Sequence, residues 1–223
     1  MPDRASTAGK HGHGGILVAA LGDSIAAGSP LWDPSARVRA SMGAAVNPES
    51  EFEYWASKAD PRLRFRNCGV FGERTGEIAR RLDDCARGAS VLIVQGGIND
   101  IARAPSGGRR VLARAVGRAE RNLLAMVRRG KRMGLRVLLA NVLPWNNGYP
   151  LAVAPINTLN RGIDAIGRRE HVPILDFYGT LEDPNQIGQM RPDWTIDGDH
   201  PSIAGYALLG EHAVAPALRR LFR

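Results

Sequence analysis

Lysine is scarce in this chain. Only Lys10, Lys58 and Lys131 stand among its 30 Lys and Arg residues, so the formal net charge of +8 over 223 residues rests on arginine. Such an excess raises nucleic acid or an anionic membrane as partner, provided the charges share one face. They do not. The arginines come in scattered pairs, Arg80-Arg81, Arg109-Arg110, Arg128-Arg129, Arg168-Arg169 and Arg219-Arg220, each in or beside a different predicted helix. Aromatics make up 6% of the chain and are not interleaved with these pairs as in a single-strand binder. The pairs therefore read as solvated helix faces, with no nucleic acid and no stable membrane association expected.

Cysteine is nearly missing too. Two residues, Cys68 and Cys85, cannot form a disulfide scaffold and show no metal-ligand spacing. Core thiols are expected, and a bridge between them stays open. Long hydrophobic runs are absent: the first apolar stretch, from Ile16, is interrupted at Gly22-Asp23, too soon for a signal or membrane segment. The sequence as written reads as cytoplasmic, and as secreted if a leader precedes it. There is no low-complexity tract or internal repeat, and at 44% hydrophobic and 23% charged the chain suits one globular domain. The expected division is a flexible tail over 1–14 and a single domain over 15–223. His11 and His13 fall in that tail, and no metal site is assigned to them.

What the chain does contain is alternation. Short β-rich apolar runs at 16–21, 63–68, 91–96, 136–142 and 172–177 are separated by stretches of helical period. Asn47-Pro48 reads as an N-cap and first helical residue, ahead of Phe52, Trp55 and Ala59 on one face. Ile78, Leu82 and Cys85 form a second stripe. Leu112, Val116, Ala119, Leu123 and Val127 step by four and three within 111–133. Ile156, Leu159, Ile163 and Ile166 repeat the pattern, and a last helix runs from about Ser202 towards Leu221. A repeating β-α order predicts an α/β fold, a parallel sheet covered on both faces, with the strands' C-terminal ends gathered on one edge.

Four polar clusters, remote in sequence, converge on that edge. Gly22-Asp23-Ser24 follows the first strand, Asn67 to Gly72 the second, and Gly97-Ile98-Asn99-Asp100 the third. Asp197-Gly198-Asp199-His200-Pro201 precedes the last helix. A serine hydroxyl needs a base, the base needs a partner to hold its tautomer, and a tetrahedral intermediate needs donors for its oxyanion. The clusters supply one candidate for each role, with Ser24 as nucleophile, His200 as base and Asp197 as its partner. The backbone N–H groups of Ser24 and Gly72 and the Asn99 side-chain amide would form an oxyanion hole. Gly72 would let the backbone approach the substrate with no Cβ in the way. Asp23 is read as a maker of local turn hydrogen bonds.

The same clusters resemble the four sequence blocks of the SGNH, or GDSL, hydrolases: G-D-S, N-x-G-x-x-G, G-x-N-D and D-x-x-H-P, in that order from residue 16 to about 210. The resemblance implies a three-layer α/β/α sandwich around a flavodoxin-like five-stranded parallel sheet. It also implies hydrolysis of small to medium acyl esters through an acyl-enzyme, with no cofactor and no metal. It places the Ser-His-Asp roles on Ser24, His200 and Asp197. Where most relatives have an apolar residue, position 199 is a carboxylate. The α/β-hydrolase elbow G-x-S-x-G occurs nowhere.

Trp32, Phe71, Trp145, Tyr149 and Trp194 fall in predicted edge loops, where Trp32, Phe71, Trp145 and Trp194 are candidates for lining a substrate pocket. Two other readings compete. A metal-dependent phosphoesterase would use Asp23, Asp100, Asp199 and His200, but an early D-x-H is missing. A flavin-binding or other non-enzymatic module could share the scaffold, but the first loop is no hydroxyl-rich anion nest.

Overall fold

Each central strand feeds two cores. In the computed structural model, which describes residues 15–28, 37, 47–104 and 108–223, Val18, Ala20, Val91, Ile93, Leu138 and Ala140 pack into one apolar cluster. Their neighbours Ala19, Leu21, Leu92, Val94, Val137 and Leu139 pack into a second on the opposite face. A strand buried on both faces cannot show polar alternation, which is why these runs read as continuously apolar. The tail 1–14 and Trp32 lie outside the described residues.

The strands β1 (Ile16–Gly22), β2 (Leu63–Gly69), β3 (Val91–Val94), β4 (Arg136–Ala140) and β5 (Ile174–Leu175) form one sheet in the order β2-β1-β3-β4-β5. All neighbouring pairs are parallel. Helices Phe52–Ala59 and Ile203–Leu208, continued to Leu221, cover one face. Gly108–Arg132, Val153–Glu170 and the short helices near residue 80 cover the other. This is the expected three-layer α/β/α architecture.

Several element boundaries differ from expectation. The last strand is confined to Ile174–Leu175 because Asp176 caps a new helix, Phe177–Leu181, by accepting from Gly179 N–H. Asn47 and Pro48 do open a turn, but a 3₁₀ one, Pro48–Ser50, ahead of the helix Phe52–Ala59. The stripe through Ile78, Leu82 and Cys85 spans two short helices, Thr75–Arg80 and Leu82–Ala86. The final helix is capped by Ser202 as expected, and includes a π-helical stretch, Leu209–Val214, before resuming at Ala215–Leu221. Pro216, which has no N–H to give to the preceding turn, sits where α register resumes. A small antiparallel pair, Glu182–Asp183 with Gln186–Met190, was not foreseen.

The cysteines are not core thiols: Cys68 and Cys85 form a disulfide that ties the end of β2 to helix Leu82–Ala86. Of the arginine pairs, Arg81 departs from the solvated-face reading, being half-buried and directed inward, whereas Arg128 and Arg129 are exposed and pair at the surface with Glu170 and Asp83. No helix among the described residues is long and apolar enough to cross a membrane.

Candidate active site

Ser24 begins the four-residue helix Ser24–Ala27, directly after β1. The turn is tight because three elements hold it. The preceding Asp23 is fully buried; its Oδ1 accepts from Ile25 N–H at 3.0 Å, and its own N–H donates to Gln95 Oε1 at 3.0 Å. Asn67 donates to Ala26 O at 2.8 Å and accepts from Gly69 N–H at 2.8 Å. Gly69 is required by contact, since a Cβ there would lie 2.0 Å from Ala27 N. As a first-turn residue Ser24 leaves its N–H without an intrahelical partner.

Across the edge, His200 is buried and its Nε2 lies 2.9 Å from Ser24 Oγ. Its Nδ1 lies 2.7 Å from Asp197 Oδ2. The other carboxylate oxygen, Asp197 Oδ1, accepts from the backbone N–H groups of His200 and Asp199 at 2.7 and 2.8 Å. Burial works to raise the Asp197 pKa. The His200 hydrogen bond, the two backbone donors and the attraction of the ring outweigh it, so this carboxyl sits below its usual range. It stays ionised where an imidazolium would need it.

Asp23 behaves oppositely. Burial pushes its carboxyl up from 3.8 to about 6, against the lowering effect of the Ile25 N–H, Gln95 and the attraction of His200. Its Oδ2 is buried without a hydrogen-bond partner. The expected local turn bond is present, and it is made at an electrostatic cost.

Asn99 lies in helix Ile98–Ala102, and its Nδ2 donates to Glu73 O at 3.1 Å, leaving a second amide hydrogen available. Asp100 fixes this helix from behind by accepting from Thr75 N–H and Thr75 Oγ1, each at 2.9 Å. Gly72 has φ +74°, in the left-handed region, and the nearest atom to a Cβ there would be Arg103 Nη1 at 3.8 Å. Backbone conformation, rather than crowding by the protein, therefore favours glycine here.

A pocket of about 430 Å³, including the space open at its mouth, adjoins Ser24 and His200, with Ile25, Phe71, Ile98, Asn99, Ala102, Trp145 and Asp199 as its walls. Phe71 stacks beside the His200 ring, centroids 6.2 Å apart. Trp145 donates its indole N–H to Asp199 Oδ1, which also accepts from Asn147 Nδ2 at 2.7 Å. Asp199 thus faces Trp145, while Asp197 faces the histidine. Trp194 is not among the walls of this pocket. It packs against the core cluster on the side of Phe52, with the Arg191 guanidinium 4.6 Å over its ring, and its backbone carbonyl accepts from Ser202 N–H at the start of the last helix. Tyr149 is exposed and not among the pocket walls.

Sequence reasoning missed Arg81. Its guanidinium donates to Gly22 O at 3.1 Å, to Cys68 O at 2.7 Å and to the Glu73 carboxylate at 2.6 Å. One side chain thereby clamps the ends of β1 and β2 and the segment leading from Gly72. It missed Gln95 as well. Both act on backbone groups, which leaves no spacing signature. No group of three or more His, Cys, Asp or Glu among the described residues is arranged to hold a metal ion.

The family model of GDSL-like lipases/acylhydrolases matches residues 20–208. The chain belongs to that family. GDSL-like lipases/acylhydrolases are ester hydrolases, and several similar solved structures share its fold. A G-D-S-L family lipolytic protein from Desulfitobacterium hafniense superposes with a TM-score of 0.68 at 19% identity, over 88% of this chain and 96% of its own. An acylhydrolase from Bacteroides fragilis gives 0.68 at 20% identity, over 93% of this chain and 88% of its own. An acetyl xylan esterase from Geobacillus stearothermophilus gives 0.62 at 18% identity, over 93% of this chain and 94% of its own. At these identities the likeness concerns the fold. No curated protein matches the chain.

Proposed function

We propose that this GDSL-family protein is a serine esterase that hydrolyses small to medium acyl esters through an acyl-enzyme. The observation that carries this reading is the continuous hydrogen-bonded line from Ser24 Oγ through the His200 ring to Asp197 Oδ2. In acylation Ser24 Oγ attacks the ester carbonyl carbon while His200 Nε2 takes its proton, and the carbonyl electron pair moves onto the oxygen. The Ser24 and Gly72 N–H groups and the Asn99 amide stabilise that oxyanion. His200 then protonates the departing alcohol oxygen as the C–O bond breaks. A water molecule, deprotonated by the same nitrogen, returns the enzyme to its starting state and releases the acid. Asp197 holds the Nδ1–H tautomer and offsets the imidazolium charge.

Ile25, Ile98 and Ala102 give the pocket short apolar walls, which suits acyl groups of limited length. The Cys68–Cys85 disulfide supports work in an oxidising compartment. The test is a hydrolysis profile over p-nitrophenyl esters of increasing acyl length. Activity is expected to peak at short to medium chains. Rates that keep rising to long chains contradict the pocket argument, and no hydrolysis at any length contradicts the esterase reading.

A further inference from the structure

Asp199 is the feature of the pocket that the hydrolytic machinery leaves unused. It borders the same cavity as Ser24 and His200, between Trp145 and the catalytic loop. Its Oδ1 is fixed by two donors, the Trp145 indole and Asn147 Nδ2, and the Asn147 amide also reaches Asp197 O at 2.8 Å. The carboxylate is thus held in place by a loop braced against the 197–200 segment, where Asn146 N–H also donates to Gly198 O at 3.0 Å. Gly148 supports the arrangement from behind, for a Cβ there would lie 2.1 Å from the Trp145 ring. Among the described residues, no hydrogen bond and no Lys or Arg reaches the second oxygen of Asp199, Oδ2.

A fixed carboxylate with no cationic partner among the described residues, beside two aromatic rings, Trp145 and Phe71, is the chemistry that recognises a cation. The charge attracts it, and aromatic faces tolerate a desolvated ammonium better than water-free aliphatic walls do. We propose that Asp199 is a specificity-determining residue, selecting esters whose alcohol half carries a positive charge, such as a quaternary or protonated amino alcohol. This rests on the esterase reading above and assigns the alcohol side of that same site.

The experiment compares acetylcholine with 3,3-dimethylbutyl acetate, which has nearly the same shape and no charge, and reads the ratio of their kcat/KM values. Any loss common to both substrates cancels in the ratio. The expected ratio in the wild-type protein is on the order of tenfold in favour of the cation, declining as salt is added. In Asp199→Asn, which keeps an oxygen for Trp145 and Asn147, the ratio should fall to near one. A wild-type ratio near one, or one that Asp199→Asn leaves unchanged, overturns the proposal. So does a preference for glyceryl acetate over both esters that Asp199→Asn abolishes, which would make the group an acceptor for neutral hydroxyls. Should the variant fail to fold, the salt dependence of the wild-type ratio decides. Ser24-dependent turnover of p-nitrophenyl acetate with neither test ester hydrolysed refutes the proposal alone. Loss of p-nitrophenyl acetate turnover as well refutes the esterase reading beneath it.

Discussion

Replacing Asp23 by Asn should stabilise the protein at neutral pH and leave it little changed in acid. The carboxyl is fully buried, its Oδ2 has no partner, and burial raises its pKa from 3.8 to about 6. The folded protein therefore retains a proton that the unfolded chain releases, so stability falls as pH rises between those two values. Below 3.8 the group costs nothing; above about 6 the full cost is present. At about 1.4 kcal/mol per pH unit, that cost is about 3 kcal/mol. Asn keeps an oxygen for Ile25 N–H and has no charge to bury. The quantity to measure is the stability of Asp23→Asn relative to wild type, from denaturant unfolding at pH 4, 5, 6 and 8. The difference should grow by about 2.4 kcal/mol from pH 4 to pH 8, with most of the growth complete by about pH 6.5. Glu53 and Asp100, also raised by burial, are present in both proteins and cancel. A difference that is flat across this range refutes the argument. Because the ionised carboxylate attracts the His200 ring, the stabilised variant should also lose kcat above about pH 6 if His200 is the base proposed above, an exchange of activity for stability.

Asn99→Ala should lower kcat by on the order of a hundredfold if its amide serves the oxyanion; steady-state kinetics showing less than a tenfold loss would remove it from that role. Arg81→Gln should lower kcat roughly tenfold with KM little changed, because it frees the ends of β1 and β2 that position Ser24 and Gly72 without touching substrate. Arg81→Lys should not rescue it, since one ammonium cannot span Gly22 O, Cys68 O and Glu73; equal losses in kcat and stability with full rescue by Lys would mark a merely structural role. Breaking the Cys68–Cys85 disulfide in a double Ala variant should cost about 3 kcal/mol, from the 17-residue separation it closes. A melting temperature insensitive to that substitution would count against the bond.

The edge that carries the candidate site was readable in the sequence because parallel topology fixes which strand ends share it, and the four polar blocks each follow or precede a recognisable element. Apolar runs gave β1 to β4, although the third ended at Val94 rather than residue 96 and the fourth at Ala140. The fifth was overrun because Asp176, a helix cap, looked like part of the strand. Aromatic residues were less informative. Phe71 and Trp145 reach the pocket, but Trp194 turns to the core to seat Ser202 and Gly205, a choice that depends on loop geometry and leaves no periodicity. Arg81 looked like its exposed neighbour Arg80, since nothing in a pair of arginines says which one finds backbone carbonyls. The disulfide needed the relative placement of β2 and helix Leu82–Ala86, which a separation of 17 residues does not specify.

The central claim is that the Ser24 hydroxyl, activated by His200, attacks the ester carbonyl. Its most direct test is mass spectrometry of the protein after incubation with a fluorophosphonate, alongside p-nitrophenyl acetate turnover, in wild type and Ser24→Ala. The account predicts one covalent adduct, on Ser24, in the wild-type protein, and neither adduct nor turnover in the variant. Turnover that survives in Ser24→Ala, or an adduct on another residue, would contradict it.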